Sequence, residues 1–410
     1  MIAGPPAYFP PAGSAPLAAR LRALLTAGVP VACGVYPGLA DPGPASARHA
    51  EATHARARHV ADRSVELPHF NTNPPPILRV LAAASLGRVD ALSDTMADFP
   101  ADLAGDLWRQ VAGVVADPGG LEPAERAHAS DLMLRLGYPR TAARVLGMAA
   151  PDPASHAFSR ECAIAELAVL LRRRHDPAVL EARALDLARD RSHTARVRMI
   201  AANFVVVRNG RRGTDTPALH ESAELALAAA EEWEADPFAG NLAWQTVHRA
   251  TAYVPFLRGD ADGTLRALDL AEARQKAAEA EVTDPLRELA WIDHAFPLYE
   301  TIAKTHLRLG HAGPAVTATA RLVELSPHDQ RTWAVRGQAL LAAGRPEDAA
   351  EAFGRALPLG GLPVARAAYH LAWIHDLLGD RERAAHYCAL SRRVDPTVPA
   401  SAELAERLSR

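Results

Sequence analysis

The sequence is poor in the residues on which covalent and redox chemistry most often depends. It has three cysteines in 410 residues, Cys33, Cys162 and Cys388. Their wide spacing and odd number exclude a disulfide framework and a Cys-x-x-Cys redox or zinc motif, and they favour a reducing compartment. Lysine occurs only as Lys276 and Lys304. A lysine-based covalent mechanism therefore has two candidate positions.

Catalytic and metal-binding signatures are also missing. The chain has no Gly-x-Ser-x-Gly elbow, no phosphate-binding glycine loop and no dinucleotide-binding fingerprint. The run that begins His220-Glu221 resembles the start of a zinc-protease helix, but Glu224 stands where the second histidine ligand is required. Glu-x-x-His pairs begin at Glu51 and Glu125, although chance alone gives about one such pair. We therefore predict no metal and no cofactor, and we assign no catalytic residue.

An excess of one charge and long apolar runs are lacking as well. The 45 basic and 48 acidic residues are interspersed and give a net charge of −3, which argues against nucleic acid or an anionic membrane as the main partner. No run approaches the roughly 18 apolar residues of a membrane helix. The N-terminus lacks the charged start and apolar core of a secretion signal. These features predict a cytoplasmic protein and leave its oligomeric state open.

The residues that are abundant favour helices. Hydrophobic residues make up 49% of the chain, but aromatic residues only 5%, and alanine supplies much of the rest. Alanine is the strongest helix former and lets helices pack closely. The composition therefore predicts an all-α protein, with more than about 60% helix against a base rate near one third.

Three segments near the C-terminus share one spacing. Each has a glycine followed five residues later by an alanine. The glycines stand 34 and 35 residues apart, and so do the alanines, at Gly310, Gly344, Gly379, Ala315, Ala349 and Ala384. A period of this length, with a small residue at a turn and another in the helix that follows, is typical of an array of helical hairpins.

These segments resemble tetratricopeptide repeats. In the middle unit, which starts at Gln330, the matching positions are Trp333, Gly337, Gly344, Ala349, Phe353 and Ala356. In the unit that starts at Phe296 they are Tyr299, Ala303, Gly310, Ala315 and Pro327. In the unit that starts at Ala365 they are Ala372, Gly379, Ala384 and Pro396. The departures are polar residues at two usually apolar positions and a glycine for the closing proline, at Arg336, Thr319 and Gly361.

The resemblance implies antiparallel helix pairs stacked into a superhelix. It covers residues 296–396, about a quarter of the chain, and is loose upstream. We predict an all-α, tetratricopeptide-like solenoid with three parts. Residues 1–76 form a proline-rich and largely irregular segment, 77–290 form degenerate helical hairpins, and 291–410 form the clear repeats, closed by a capping helix over Ala400–Leu408. An extra turn or short helix is expected near Pro285–Ala295.

The N-terminal segment contains 13 of the 32 prolines. Residues 68–76 are one candidate for function there, because prolines force extended backbone and asparagines suit turns. They are either a linker or an ordered strap laid into the groove of the solenoid. The strap residues would be His69, Phe70, Asn71 and Asn73.

The resemblance implies a protein-binding or peptide-binding scaffold. Its inner face would be lined by positions two, five, nine and twelve of each first helix. The candidate groove residues are Glu300, Lys304, Arg331, Gln338, Arg366, Tyr369, Trp373 and Asp376. We expect Tyr369 and Trp373 to be partly exposed there, the alternative being that they pack under the capping helix. The alternative function is an enzyme, or an essential partner of one, that modifies a peptide or small metabolite, with its site built by residues 1–76.

Overall fold

The protein is helical wherever its structure is described. The computed structural model describes residues 47–63, 106–136, 138–148, 156–172, 176–325, 327, 330–357, 363–396 and 399–410. Of these residues 82% are helical, and none lies in a β-strand. The prediction of an all-α, tetratricopeptide-like solenoid fold is confirmed. The described residues from 51 onward form two compact units, with the boundary between Leu298 and Tyr299. We call those up to 298, together with the start of the first helix at Ala47, the N-terminal unit, and those from 299 to 410 the C-terminal unit.

The N-terminal unit is a succession of packed helices. They are α1 Ala47–Asp62, α2 Asp106–Ala116, α3 Pro123–Leu136, α4 Pro139–Val145, α5 Ala163–Arg172, α6 Pro177–Arg189, α7 Ala195–Arg212, α8 Pro217–Glu232, α9 Pro237–Thr251, α10 Tyr253–Leu257 and α11 Ala261–Glu279. The pairs with most mutual contact are α7 with α8 and α9 with α11. Their core is built largely of alanine with a few larger side chains, among them Leu167, Val205 and Val247, all fully or almost fully buried. Small side chains let the paired backbones approach closely.

The C-terminal unit continues the same pattern. Its helices are the second part of α12 Pro285–Arg308, α13 Ala312–Leu325, α14 Gln330–Ala342, α15 Pro346–Ala356, α16 Pro363–Leu377, α17 Arg381–Val394 and α18 Pro399–Ser409. Helices α14 and α15 pack as one pair, and α16 and α17 as the next. A shared core joins the two pairs and includes Trp333, Phe353 and Leu371. The final helix, α18, lies on α17, with Leu404 buried and the Ser401 hydroxyl 2.9 Å from the Ser391 hydroxyl.

The repeated glycines end the first helix of each C-terminal pair. Gly310, Gly344 and Gly379 have φ values of 77°, 72° and 78°, in the left-handed region that glycine adopts without steric cost. In each turn the residue after the glycine donates its backbone N–H to the carbonyl five residues earlier. These bonds are His311 to His306 at 2.8 Å, Arg345 to Leu340 at 3.0 Å and Asp380 to His375 at 2.8 Å. This is the Schellman arrangement, which satisfies carbonyls left open at a helix end.

The same turn recurs in the N-terminal unit, where the sequence matches the repeat only loosely. Gly213 and Gly259 have φ values of 71° and 73°. The backbone N–H groups of Thr214 and Asp260 again donate to carbonyls five residues back, at 3.2 Å and 3.0 Å. The upstream hairpins therefore share the turn geometry of the clear repeats, although their helix faces have diverged.

The extra turn or short helix expected near Pro285–Ala295 is not a separate element. That expectation rests on the 51 residues between Gly259 and Gly310, more than one repeat length, and the additional residues form the first part of α12, which runs through Pro297 without ending. A proline inside a helix removes a backbone donor and usually ends or kinks the helix. Phe296 and Leu298, on either side of the proline, are 2% and 0% exposed. Their packing holds the helix together across this position.

Candidate peptide-binding surface

The predicted groove residues lie on the first helices of the C-terminal unit. Helices α12, α14 and α16 carry them, and α12 is held beside α14 by a small core of Ala303, Ala318 and Val335. Residues three or four apart lie on the same face of a helix, so the predicted side chains of each helix form a short stripe. We call the surface formed by these stripes the first-helix surface. Its side chains are Glu300, Lys304, Arg331, Gln338, Arg366, Trp373 and Asp376.

Gln338 and Arg366 connect α14 to α16. With the amide of Gln338 turned so that its oxygen faces the guanidinium, that oxygen accepts hydrogen bonds from Nη2 and, at 3.0 Å, from Nε of Arg366. Arg366 is exposed, whereas Gln338 is half-buried. This contact orients the guanidinium of Arg366 through its Nη2 and Nε groups. The arrangement suits recognition of a carboxylate, which a guanidinium binds through parallel N–H donors.

Tyr369 does not belong to this surface. It is 1% exposed, so the prediction that its ring is partly exposed toward the groove is wrong. Burial raises the pKa of its hydroxyl to about 12, and the charged side chains that act on it are Arg407 and Glu403 of α18. Tyr369 therefore lies under α17 and α18, as the alternative interpretation held. The last helix pair buries one more face than the others because α18 is stacked on it.

Trp373 occupies an intermediate position. It is half-buried and packs against the shared core that contains Trp333 and Phe353. It lies seven residues after Arg366, which is two helical turns on the same face. Part of the indole thus remains accessible beside an exposed guanidinium, a combination that is common at the anchors of binding surfaces.

Two ion pairs constrain the remaining charged groups. Lys304 Nζ lies 2.8 Å from Glu300 Oε1, within α12. Arg407 Nη2 of α18 lies 2.5 Å from Asp376 Oδ2 of α16. Sequence analysis missed Arg407, although its place on the polar face of the capping helix was a signal that could have found it. Because Arg407 is largely exposed, this pair contributes about 1 kcal/mol or less to stability. Arg331 lies half-buried in the first turn of α14.

The one histidine beneath Arg366 is unsuited to acid–base chemistry. His370 is 4% exposed and stacks on Phe353, with 4.7 Å between ring centroids. Neither ring nitrogen has a hydrogen-bond partner. Burial, and to a lesser degree the charge of Arg366, lowers the pKa of the imidazole to about 3. At neutral pH the ring is uncharged and inaccessible, so His370 is not placed to exchange a proton with a ligand.

Other predictions fall outside what is visible. The strap candidates His69, Phe70, Asn71 and Asn73 lie beyond the described residues. Within the described part of the chain, no three histidine, cysteine, aspartate or glutamate side chains are placed to hold a metal ion. No helix in that part is long and apolar enough to cross a membrane.

Comparison with known proteins gives a fold-level likeness only. No protein-family model and no curated protein sequence matches the chain. Among solved structures, MamA from Desulfovibrio magneticus RS-1 (residues 41 to the end) is 18% identical to this chain. The match covers 48% of this chain and 96% of MamA, with a TM-score of 0.33. A double mutant, MamA RS-1 ArsTM, is 17% identical over 51% of this chain and 95% of its own, with a TM-score of 0.34. The TPR2AB domain of yeast Sti1 in its pHSP90 complex is 17% identical. The match covers 57% of this chain and 92% of that one, with a TM-score of 0.26. No functional conclusion follows from similarities this low.

Proposed function

We propose that the protein is a binding scaffold of the bacterial cytoplasm, and that its first-helix surface holds an extended, acidic peptide segment of a partner protein. The observation that carries this proposal is the contact between Gln338 and Arg366. It presents an oriented guanidinium on the surface, two helical turns from the accessible part of Trp373. Arginine and tryptophan are enriched among residues that dominate binding energy, since each buries a large area and can also hydrogen-bond.

The spread of side chains over the surface suits an extended peptide better than a compact ligand. Two ion pairs stand at its ends, Glu300 with Lys304 on α12 and Asp376 of α16 with Arg407 of α18. An extended chain crossing these helices meets alternating charges and an indole edge, whereas a compact ligand reaches only one of them. An acidic side chain of the peptide would be placed at Arg366 and an apolar one at Trp373.

The cysteines support the proposed compartment. Cys162 and Cys388 are free thiols and both are buried. Burial is the main cause that raises the pKa of each thiol, which keeps them in the unreactive protonated form. Free thiols of this kind are typical of a reducing cytoplasm. The alternative function, an enzyme or partner of an enzyme with a site built by residues 1–76, rests on residues outside the described structure and has no observation in its favour.

A peptide-display selection followed by affinity measurement tests the proposal. Peptides selected on the full chain should be enriched in aspartate or glutamate next to an apolar residue. By fluorescence polarisation, Arg366→Ala and Trp373→Ala should each weaken a selected peptide about tenfold, as expected for an anchor residue. The control is Arg393→Ala, since Arg393 is exposed on α17, away from this surface.

Thermal unfolding separates binding from folding. Both surface variants should unfold within a few degrees of the parent protein. If Trp373→Ala lowers the Tm by many degrees while peptide affinity survives, the indole is a core residue and the proposed surface has no apolar anchor. Affinity that is equal for Arg366→Ala and the parent protein would refute the proposal directly.

A further inference from the structure

A cleft lies on the side of α14 that faces away from the first-helix surface. It is a cleft of about 350 Å³ between α13 and α15, with α14 as its floor. The floor residues Trp333, Arg336 and Leu340 are three and four residues apart and therefore share one face of the helix. Arg331 and Gln338 of the first-helix surface fall on a different face of the same helix, because each is two residues, about 200° of rotation, from a floor residue. The cleft and the first-helix surface are thus separate places on the C-terminal unit.

Arg336 is the unusual residue of this cleft. Tetratricopeptide-like repeats place an apolar residue at this position, and the other two floor residues, Trp333 and Leu340, are apolar. Arg336 is half-buried, and its Nη1 is inaccessible to solvent yet has no hydrogen-bond partner among the described residues. Leaving a guanidinium N–H unsatisfied in this way is costly. An apolar side chain at this position would avoid that cost. With arginine there, a bound hydrogen-bond acceptor would offset it.

The carboxylates around the cleft are already paired with arginines of their own helices. Asp348 Oδ2 lies 2.6 Å from Arg345 Nε, and Glu351 Oε1 lies 2.7 Å from Arg355 Nη2, both within α15.

On the opposite wall, Glu324 Oε2 lies 2.7 Å from Arg321 Nη1 within α13. The three carboxylates that line the cleft are thus each paired with a guanidinium group, that of Arg321 lying outside the lining, whereas Arg336 Nη1 has no carboxylate partner among the described residues. The rim residues are exposed, so an anion can approach from solvent.

The cleft also offers apolar surface next to that charge. Val323 is half-buried and supplies the accessible part of this surface, whereas Leu340 and Trp333 lie behind it at 2% and 9% exposed. Two contacts fix the indole of Trp333. Its Nε1 donates to the Pro327 carbonyl at 2.6 Å, and the Arg355 guanidinium stacks 4.9 Å from its ring. The tryptophan is thereby fixed in one orientation. A ligand with a carboxylate and a small apolar group would contact both kinds of surface at once.

We propose that this cleft is a second binding site, which takes a glutamate or aspartate side chain together with a neighbouring apolar residue of a partner protein. The carboxylate accepts hydrogen bonds from the Arg336 guanidinium, including the buried Nη1, and the apolar residue packs against Val323 and the small accessible part of Trp333. The site is independent of the proposed function of the first-helix surface. It gives the C-terminal unit two contact points on different faces.

Nuclear magnetic resonance titration of the full chain tests this site with a defined probe. The probe is the capped dipeptide acetyl-Leu-Glu-amide, and its matched neutral form is acetyl-Leu-Gln-amide. The indole N–H signal of Trp333, assigned with the Trp333→Phe variant, reports on occupancy. We expect a saturable shift with the glutamate probe and an affinity about tenfold weaker for the glutamine probe, since hydrogen bonds to a charged acceptor are the stronger ones.

Arg336→Met should abolish the preference for the glutamate probe while leaving the fold intact, because a long apolar side chain suits this position. Arg336→Gln serves as the second variant if the methionine variant does not fold. Arg393→Met, which changes an exposed arginine of α17, should leave the titration unchanged. No saturable shift with the parent protein, equal affinity for the two probes, or undiminished binding by the Arg336 variants would each overturn the proposal. Selected peptides whose affinity falls with Arg366→Ala occupy the first-helix surface, and Arg336→Met should leave their affinity unchanged. Failure at one surface therefore leaves the other testable.

Discussion

Gly337 of α14 lies against the ring of Phe353 of α15. A Cβ atom on Gly337 would stand 2.7 Å from Cε2 and Cζ of that ring, closer than real Cβ contacts permit. Phe353 is fully buried in the shared core of the unit, so it has no room to withdraw. The absence of a side chain at one position is what allows the large ring at the other, and this pair sets the distance between the two helices.

Gly337→Ala should therefore destabilise the C-terminal unit, although alanine is the better helix former. Overpacking of this kind costs about 1–3 kcal/mol, against a gain of up to about 1 kcal/mol in helix propensity. Chemical denaturation measures the difference. Gly354→Ala in α15 is the matched control, because a Cβ there meets nothing within 4 Å. The control should be neutral or stabilising, and equal effects of the two changes would contradict the packing explanation.

Trp333→Ala should remove the largest contact between neighbouring helix pairs of the C-terminal unit. Trp333 is 9% exposed, and losing a buried aromatic costs on the order of 3 kcal/mol. In a repeat array each pair depends mainly on its neighbours. Hydrogen exchange should accordingly speed up in the C-terminal unit before the N-terminal unit. Leu377→Ala, at a side chain 44% exposed, should change stability by less than about 0.5 kcal/mol. Uniform exchange along the Trp333 variant would count against the expectation.

The buried imidazole of His370 should make stability depend on pH. Its pKa is lowered to about 3 in the folded protein, mainly by burial, while in the unfolded chain it lies near 6.5. Between these values the unfolded state binds a proton that the folded state does not. Stability is thus fully present above about pH 6.5 and is lost as the pH falls toward 3, by roughly 5 kcal/mol at most.

His370→Phe isolates this contribution from that of the other histidines. Phenylalanine keeps the stack on Phe353 and removes two ring nitrogens that have no hydrogen-bond partner. Denaturation midpoints measured between pH 4 and 8 should fall less steeply for the variant than for the parent protein. Parallel pH curves for the two proteins would show that His370 is not the titrating group.

The balanced charge of the chain predicts no appreciable affinity for duplex DNA. With 45 basic and 48 acidic residues interspersed, the protein cannot release many counterions from a phosphate backbone, the term that supplies most non-specific affinity. A gel-shift titration at physiological salt should show no complex below micromolar protein. A submicromolar and salt-sensitive complex would require a basic surface that the sequence does not indicate.

The sequence alone was sufficient for features that depend on neighbouring residues. The turns at Gly310, Gly344 and Gly379 could be located because a left-handed residue is needed where one helix ends, and only glycine takes it at no steric cost. The helices between them follow from alanine content and apolar spacing. These local requirements also explain why Gly213 and Gly259 keep the turn where the rest of the repeat has diverged.

Tertiary contacts decided what local pattern could not. Tyr369 and Trp373 are four residues apart and share a face, yet α18 covers the first and leaves part of the second accessible. The helix through Pro297 survives because buried neighbours outweigh the lost backbone donor. Likewise, the partner of Arg366 is Gln338 in another helix, whereas Arg336 Nη1 is buried with none among the described residues. Whether a side chain is buried or paired depends on which helix, distant in sequence, packs against it. A periodic sequence pattern indicates only the face of the helix on which that side chain lies.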